Sequence, residues 1–366
     1  MEFVNCCNCG RDDTSLLFTK WNHQVVRCRH CGLVYVNPRG VSIESDEYFR
    51  GAYIETIEEN GRLKQGIEGI YSEVLRNLSA HLMPGRLLDI GCAMGHFMEY
   101  ARRHSWNVHG VECSPYAASY GRNRWGLPIQ AVCDLGEARL PESHFDACSM
   151  VEVVEHLPNP RQTLAQAFGL LKPGGMIYVT TPNFGSFRSL LQKQEWAAVI
   201  PTGHLYYFTF QTLGNLFHSV GFRQIFNLTP PADFDIDAGE LRKHAALDLS
   251  NSELEEIRRE ALSADAGTPF NGRGEGLVMC ALKPLASHNS VAASIRSWDP
   301  LPDLEGRLVR ISGDGAEAEK VYLIHEGRKH WVTSVDWLRR HGRKLEETVQ
   351  VKHDILGRFL QSWPLQ

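Results

Sequence analysis

Short apolar runs alternate with amphipathic stretches from about residue 84 to residue 284. The candidate strands are 86–91, 107–112, 129–133, 145–151, 175–181, 223–229 and 276–283. Apolar runs of this length, separated by helical patterns, predict strands buried on both faces of a mostly parallel sheet. Upstream, Ile67, Ile70, Tyr71, Val74, Leu75 and Leu78 recur at helical spacing, which predicts one apolar stripe packed on that sheet. A charged stretch, about 238–263, predicts a helix between the last two strands. Residues 285–304 are small, polar and punctuated by proline, and read as a linker. Beyond it, Val321 to Thr333 alternates apolar and polar positions around Glu326-Gly327, a hairpin signal, and a helix is expected from about Ser334.

The first strand stops at a glycine turn. Leu87-Leu88-Asp89-Ile90 runs into Gly91, and Gly95 follows just before a helical pattern. A strand, a tight turn and a helix N-terminus bring bare backbone amides against a ligand. The dinucleotide fingerprint G-x-G-x-x-G would need glycine at 93 and 96, where the chain has Ala93 and His96. What stands here is Asp89-x-Gly91-x-Ala93-x-Gly95. Four later segments fall in a consistent order. Val108-His-Gly-Val-Glu112 ends a second strand in an acid twenty-one residues past Gly91, where a carboxylate accepts ribose hydroxyls in dinucleotide folds. Ile129-Gln-Ala-Val-Cys-Asp134 ends a third strand in an acid placed for an adenine amino group. Phe145-Asp146 is followed by Glu152, Glu155, His156 and Leu157, and Leu171-Lys-Pro-Gly-Gly175 leads into a fifth strand.

Together these segments resemble the class I S-adenosylmethionine-dependent methyltransferases, with alanine replacing the middle glycine of their first motif. The resemblance covers residues 84–284 and is strongest to the small-molecule branch that includes ubiquinone-pathway O-methyltransferases and enzymes of sugar and polysaccharide clusters. It implies an α/β fold: a doubly wound, seven-stranded, mostly parallel sheet whose seventh strand inserts antiparallel between the fifth and sixth. It further implies that S-adenosylmethionine is held by Asp89, Gly91, Cys92, Ala93 and Gly95 of the turn, by Glu112 and Cys113, by Asp134 and Leu135, and by Val151.

The N-terminal head carries a second signal. Cys6-x-x-Cys9, eighteen residues, then Cys28-x-x-Cys31 is zinc-ribbon spacing, with Gly10 and Gly32 following the second cysteine of each pair. Four thiolates make a closed tetrahedral site, so the expected Zn²⁺ is structural. Cys7 is a spare thiol. The other five cysteines, Cys92, Cys113, Cys133, Cys148 and Cys280, are scattered through strands and their ends, and read as small hydrophobes in a reduced cell. The expected organisation is a zinc ribbon (1–45), a helical lead-in or substrate lid (46–83), a methyltransferase domain (84–284), a linker (285–304) and a small β-rich module (305–366). At 366 residues, 43% hydrophobic and 22% charged, the chain has enough apolar material for such a plan. A net charge of −5 gives no sign of a nucleic-acid partner. No apolar run is long enough to span a bilayer and no signal peptide is visible, which points to the cytosol.

The chemistry is less legible. Methyl transfer to a hydroxyl requires in-line alignment and a proton acceptor. The candidate bases are His156, after the fourth strand, and His204, in Pro201-Thr-Gly-His-Leu-Tyr-Tyr-Phe208. Glu152, Glu155 and His156 also repeat a pattern of the ubiquinone-pathway enzymes in which a divalent metal assists the acceptor. The expected acceptor is a small molecule or glycan intermediate with a free hydroxyl. Carbon methylation of a nucleotide-linked keto sugar, and a cofactor-binding regulatory protein without catalysis, are the alternatives. An rRNA substrate fits less well, since strand four ends without the signature of amino-group methylators.

Overall fold

The computed structural model describes residues 1–40, 61–229, 276–285, 308–311, 321–325, 328–332, 349–351 and 360–361, with single positions at 344 and 348. The head forms three antiparallel strands, β1 (Thr14–Lys20), β2 (His23–Cys28) and β3 (Val34–Val36). Helix α1 (Gly61–Ser79) then leads into the main sheet. That sheet contains β4 (Arg86–Ile90), β5 (Asn107–Glu112), β6 (Ile129–Ala131), β7 (Phe145–Val151), β8 (Leu171–Pro182), β10 (Arg223–Asn227) and β11 (Gly276–Leu282). Between them run α2 (His96–Arg103), α3 (Pro115–Trp125), α4 (Pro160–Leu170), α5 (Phe187–Gln192), the two-residue strand β9 (Tyr206–Tyr207) and α6 (Phe210–Val220).

The strand order is β10-β11-β8-β7-β4-β5-β6. Strands β4 to β8 pair in parallel, while β11 lies antiparallel between β8 and β10. The expected topology is therefore the observed one. Period-two alternation divides the sheet between two apolar layers. Leu88, Ile90, Ile177 and Val179 face one layer, with Leu164 and Ala167 of α4 and Leu213, Leu216 and Phe217 of α6. Leu87, Met176 and Tyr178 face the other, with Val74, Leu75 and Leu78 of α1 and Phe97, Met98 and Ala101 of α2. Helix starts follow local chemistry. Ser114 and Asn159 cap helices that begin with proline, and Thr209 with Thr212 forms a capping box.

Several expectations need correction. Ile70 belongs to the apolar stripe by spacing, yet it is 49% exposed, whereas Val74, Leu75 and Leu78 are buried in the layer below the sheet. The third strand ends at Ala131, not 133, because Cys133 turns back to form a disulfide with Cys113. Those two cysteines are therefore bridged, not separate hydrophobes, whereas Cys92, Cys148 and Cys280 are buried free thiols as expected. The head also takes a strand from later in the chain. Strand β9 pairs with β3 (Val34 opposite Tyr207, Tyr35 opposite Tyr206) and completes a four-stranded sheet.

In the C-terminal part, β13 (Val321–His325) and β14 (Arg328–Val332) form the expected hairpin. They join β12 (Leu308–Ile311), β15 (Val349–Val351) and β16 (Leu360–Gln361) in one sheet. The expected helices at 238–263 and after Ser334, and the linker beyond residue 285, lie outside the described residues. Among the described residues no helix is long and apolar enough to cross a membrane.

Phe222 is fully buried, with its ring edge-on to Phe168 at 5.0 Å and to Phe217 at 5.6 Å. Phe222→Ala should destabilise the fold by about 3–5 kcal/mol, read as a lower urea midpoint at unchanged slope.

Candidate functional site

At the end of β4 the backbone reverses at Gly91, whose φ is 73°. A Cβ there would stand 2.6 Å from Val153 Cγ2, so only glycine lets the loop after β7 close on this turn. Gly91 N and Cys92 N both donate to Val111 O, and Gly95 N donates to Cys92 O before α2 begins. Glu112 braces the turn from the neighbouring strand. One carboxylate oxygen accepts from Ala93 N at 2.8 Å and the other from Ser114 N at 2.8 Å. Ala93 sits at φ 48°, in the left-handed region that glycine favours and alanine tolerates at a cost.

Asp89 is 3% exposed and accepts a 2.7 Å hydrogen bond from Ser149 Oγ. Burial raises its pKa to about 7, the nearby Glu112 charge adding to the shift and the serine bond opposing it. Cys92 is buried beside it, its thiol pushed up chiefly by desolvation. Asp134 is half-buried just after β6, capping the turn 135–138 through Gly136 N. Gln166 and Gln162 of α4 donate to its two oxygens at 2.8 and 3.0 Å. The bond from Gly136 first, then that from Gln166, holds its carboxyl below the usual range. Leu135 is buried behind it, and the Cys113–Cys133 disulfide joins the loops carrying Glu112 and Asp134. Val151, half-buried, closes the end of β7.

The two candidate bases meet. The His156 and His204 rings lie edge to face with centroids 4.8 Å apart. His156 Nδ1 contacts Gly203 O at 3.1 Å and His204 Nδ1 contacts Ala198 O at 2.8 Å. A carbonyl can only accept, so both Nδ1 atoms carry the proton and both Nε2 atoms keep a lone pair. Glu155, 1% exposed, comes within 3.7 Å of His156 Nε2. Desolvation lowers the pKa of both histidines, that of His204 to about 4 with help from His156. Glu155, His156 and His204 each offer a ligand atom within 4.8 Å of the others, a group that could hold a cation or receive a proton. Glu152 does not join them. It is exposed at φ 55°, so the expected Glu152–Glu155–His156 grouping is replaced by one that uses His204 instead. Spacing alone missed His204 as the third member of this group, because it arrives from forty-eight residues downstream of His156.

The four head cysteines converge as their spacing predicts. Cys6 Sγ lies 3.3 Å from Cys31 Sγ, and Cys9 Sγ 3.5 Å from Cys28 Sγ. Sulfurs bound to one Zn²⁺ at about 2.3 Å would stand about 3.8 Å apart, so the group fits that ion closely. Gly10 and Gly32 have φ of 74° and 75° and donate to Cys6 O and Cys28 O, which turns each knuckle back on its own cysteine. The Cys31 hydrogen bond draws the Cys6 thiol down to about 6 and raises Cys31 in return. Cys7 stays outside the group, its thiol pushed up by burial.

Two outcomes test this geometry. Ala93→Gly should stabilise the protein by about 0.5–1 kcal/mol in urea titrations, relieved backbone strain outweighing the added freedom of the unfolded chain. Asp89→Asn should keep the Ser149 bond and remove a buried ionisable group. Because the folded pKa is raised, the stability Asp89 contributes is present below about pH 4 and lost as pH rises toward 7. The variant should therefore gain on the parent between pH 4 and 7, reaching about 2–4 kcal/mol at pH 8, as thermal unfolding across that range would show.

Residues 63–225 match the family model described as "Methyltransferase domain". Over 118 residues the chain is 30% identical to a ubiquinone biosynthesis O-methyltransferase of Xanthomonas axonopodis pv. citri, covering 30% of this chain and 48% of that protein. It is 30% identical over 112 residues to a probable S-adenosylmethionine-dependent methyltransferase of Mycolicibacterium smegmatis, covering 30% and 44%. The chain thus spans about half the length of the curated relatives it matches. A SAM-dependent methyltransferase from Archaeoglobus fulgidus aligns at a TM-score of 0.45 with 22% identity, over 65% of this chain and 100% of that one. Residues 63–225 thus match a methyltransferase domain and are similar in sequence to ubiquinone biosynthesis O-methyltransferases, and they are preceded by a cysteine cluster able to hold a metal.

Proposed function

We propose that this protein transfers a methyl group from S-adenosylmethionine to a hydroxyl of a small molecule or glycan intermediate. The observation that carries the reading is the closure of the loop after β7 on the glycine turn. Val153 packs against Gly91, and three residues later His156 meets His204. Cofactor-side and acceptor-side groups thus share the C-terminal edge of the parallel strands, where open α/β sheets bind ligands. In this reading Asp89, Gly91, Cys92, Ala93 and Gly95 line the amino-acid side of the cofactor. Glu112 and Cys113 take the ribose, Asp134 and Leu135 the adenine, and Val151 the floor. The bound cofactor supplies a methyl already made electrophilic by its sulfonium.

The chain must then align the acceptor oxygen and receive its proton. His156 and His204 are both fixed with Nε2 unprotonated, and burial keeps them neutral at physiological pH. One of them would accept the hydroxyl proton as the acceptor oxygen takes up the methyl that a bound cofactor would supply, the cofactor leaving as the neutral thioether. Glu155 steadies the resulting imidazolium. A Zn²⁺ on Cys6, Cys9, Cys28 and Cys31 has no open position for substrate and takes no part in this step. The domain plan set out from the sequence is part of the same proposal.

Calorimetry with S-adenosylmethionine tests the cofactor half. The parent should bind, and Glu112→Gln, which turns an amide donor toward Ala93 N or Ser114 N, should weaken binding about 10–100-fold. With methyl-labelled cofactor and a panel of phenols and nucleotide-linked sugars, label should appear on oxygen. His156→Gln or His204→Gln should lower turnover at least about 100-fold. Label on carbon would transfer the reading to a keto-sugar C-methyltransferase, and no binding at all would defeat both.

A further inference from the structure

The cysteine knuckle is bonded into the two segments that carry the histidines. Between Cys6 and Cys9 stand Cys7 and Asn8. Arg161, in the first turn of α4, donates from Nε to Cys7 O at 2.8 Å and from Nη2 to Asn8 O at 2.6 Å. Asn8, fully buried, donates to Thr212 O in α6 at 2.7 Å. Arg161 lies just after the loop holding Glu155 and His156, and Thr212 lies just after the segment holding His204. A second tie runs through the strands. Val36 N donates to Leu205 O, and Leu205 N and Tyr206 N both donate to Glu155 O. Arg39, 9% exposed, donates to Tyr206 Oη at 2.8 Å, and that hydroxyl donates to Pro158 O at 3.3 Å.

Backbone carbonyls inside a metal knuckle are held rigid by the ligands on either side, and a guanidinium fork that takes two of them is fixed in both position and angle. We propose that the ribbon is a positioning element for the acceptor side of the site, with Arg161 and Asn8 the residues through which the thiolate knuckle sets the His156–His204 pair. The inference rests on the reading of those histidines as the acceptor-side base. It separates the molecule into two mechanical halves. The cofactor turn is braced by β5 through Glu112, while the acceptor pair is braced by the ribbon.

The test uses the full chain with histidine labelled at Cε1, the signals of residues 156 and 204 being assigned by their glutamine variants. Arg161→Met leaves all four thiolates, so it should retain one zinc per chain by metal analysis and bind S-adenosylmethionine within twofold of the parent. Both imidazole signals should shift, and amide exchange across 198–208 should accelerate at least tenfold while that across 86–100 stays the same. Arg161→Lys, which keeps a donor, should return the signals toward their parental positions. Chelation of the parent's metal should reproduce the Arg161→Met changes. Unchanged imidazole signals and exchange in Arg161→Met, or after chelation, would overturn the proposal. So would a parallel loss of cofactor binding, which would mark a general loss of fold. If Arg161→Met does not fold, Asn8→Ser removes the Thr212 bond and is held to the same outcomes. A parent that binds no S-adenosylmethionine speaks against the methyltransferase reading alone, because the imidazole and exchange readouts need no cofactor.

Discussion

The glycine turn after β4 hangs on one buried carboxylate. Glu112 is 6% exposed, and its two oxygens take backbone amides from two different connections, the turn after β4 and the start of α3. Burying a charge is costly unless it is hydrogen-bonded, and charge-assisted bonds to amides are among the stronger ones. The acid therefore serves the fold before any ligand arrives. It holds Ala93 in a left-handed conformation that alanine resists, and it fixes the start of the helix that follows its own strand. The side chain a nucleoside would meet is already committed to shaping the turn beside it.

Burial governs the charge state of the rest of the site. Asp89 and the two histidines sit where water is scarce, and in each case the neutral form gains. The carboxyl rises toward neutrality and the imidazoles resist protonation. Asp134, half-buried with three donors on its carboxylate, is shifted the other way. The acids that the sequence groups together as ligand contacts are thus in different electrostatic situations, one held ionised and one near its midpoint.

How much was legible in the chain depends on how local each feature is. The glycine turn, Glu112 and the cysteine knuckles were readable because each is defined within a few residues or by a fixed spacing. The sheet order was readable because the seven apolar runs occur in the order of a known topology. Other features have no local signature. Tyr206-Tyr207 is too short to show a strand period, and its partner β3 lies some 170 residues earlier. The Cys113–Cys133 pair follows from β5 and β6 being parallel neighbours, which brings their ends side by side. The exchange of Glu152 for His204 likewise depends on where a distant loop returns.

The antiparallel placement of β11 has a consequence for how this chain can vary. Strand β10 runs parallel to β8 and ends at Asn227. Strand β11 starts at Gly276, opposite Pro182, the last residue of β8. Asn227 and Gly276 therefore both stand at the edge formed by the C-terminal ends of the parallel strands, on neighbouring strands spaced about 4.8 Å apart. Closing a loop between fixed ends costs only about 0.6 kcal/mol more for each doubling of its length. Changes of length between these two anchors are therefore cheap for the sheet. Chain length between these anchors is a variable the sheet leaves free, while the turn at Gly91 and its brace at Glu112 belong to strands on the other side of β8.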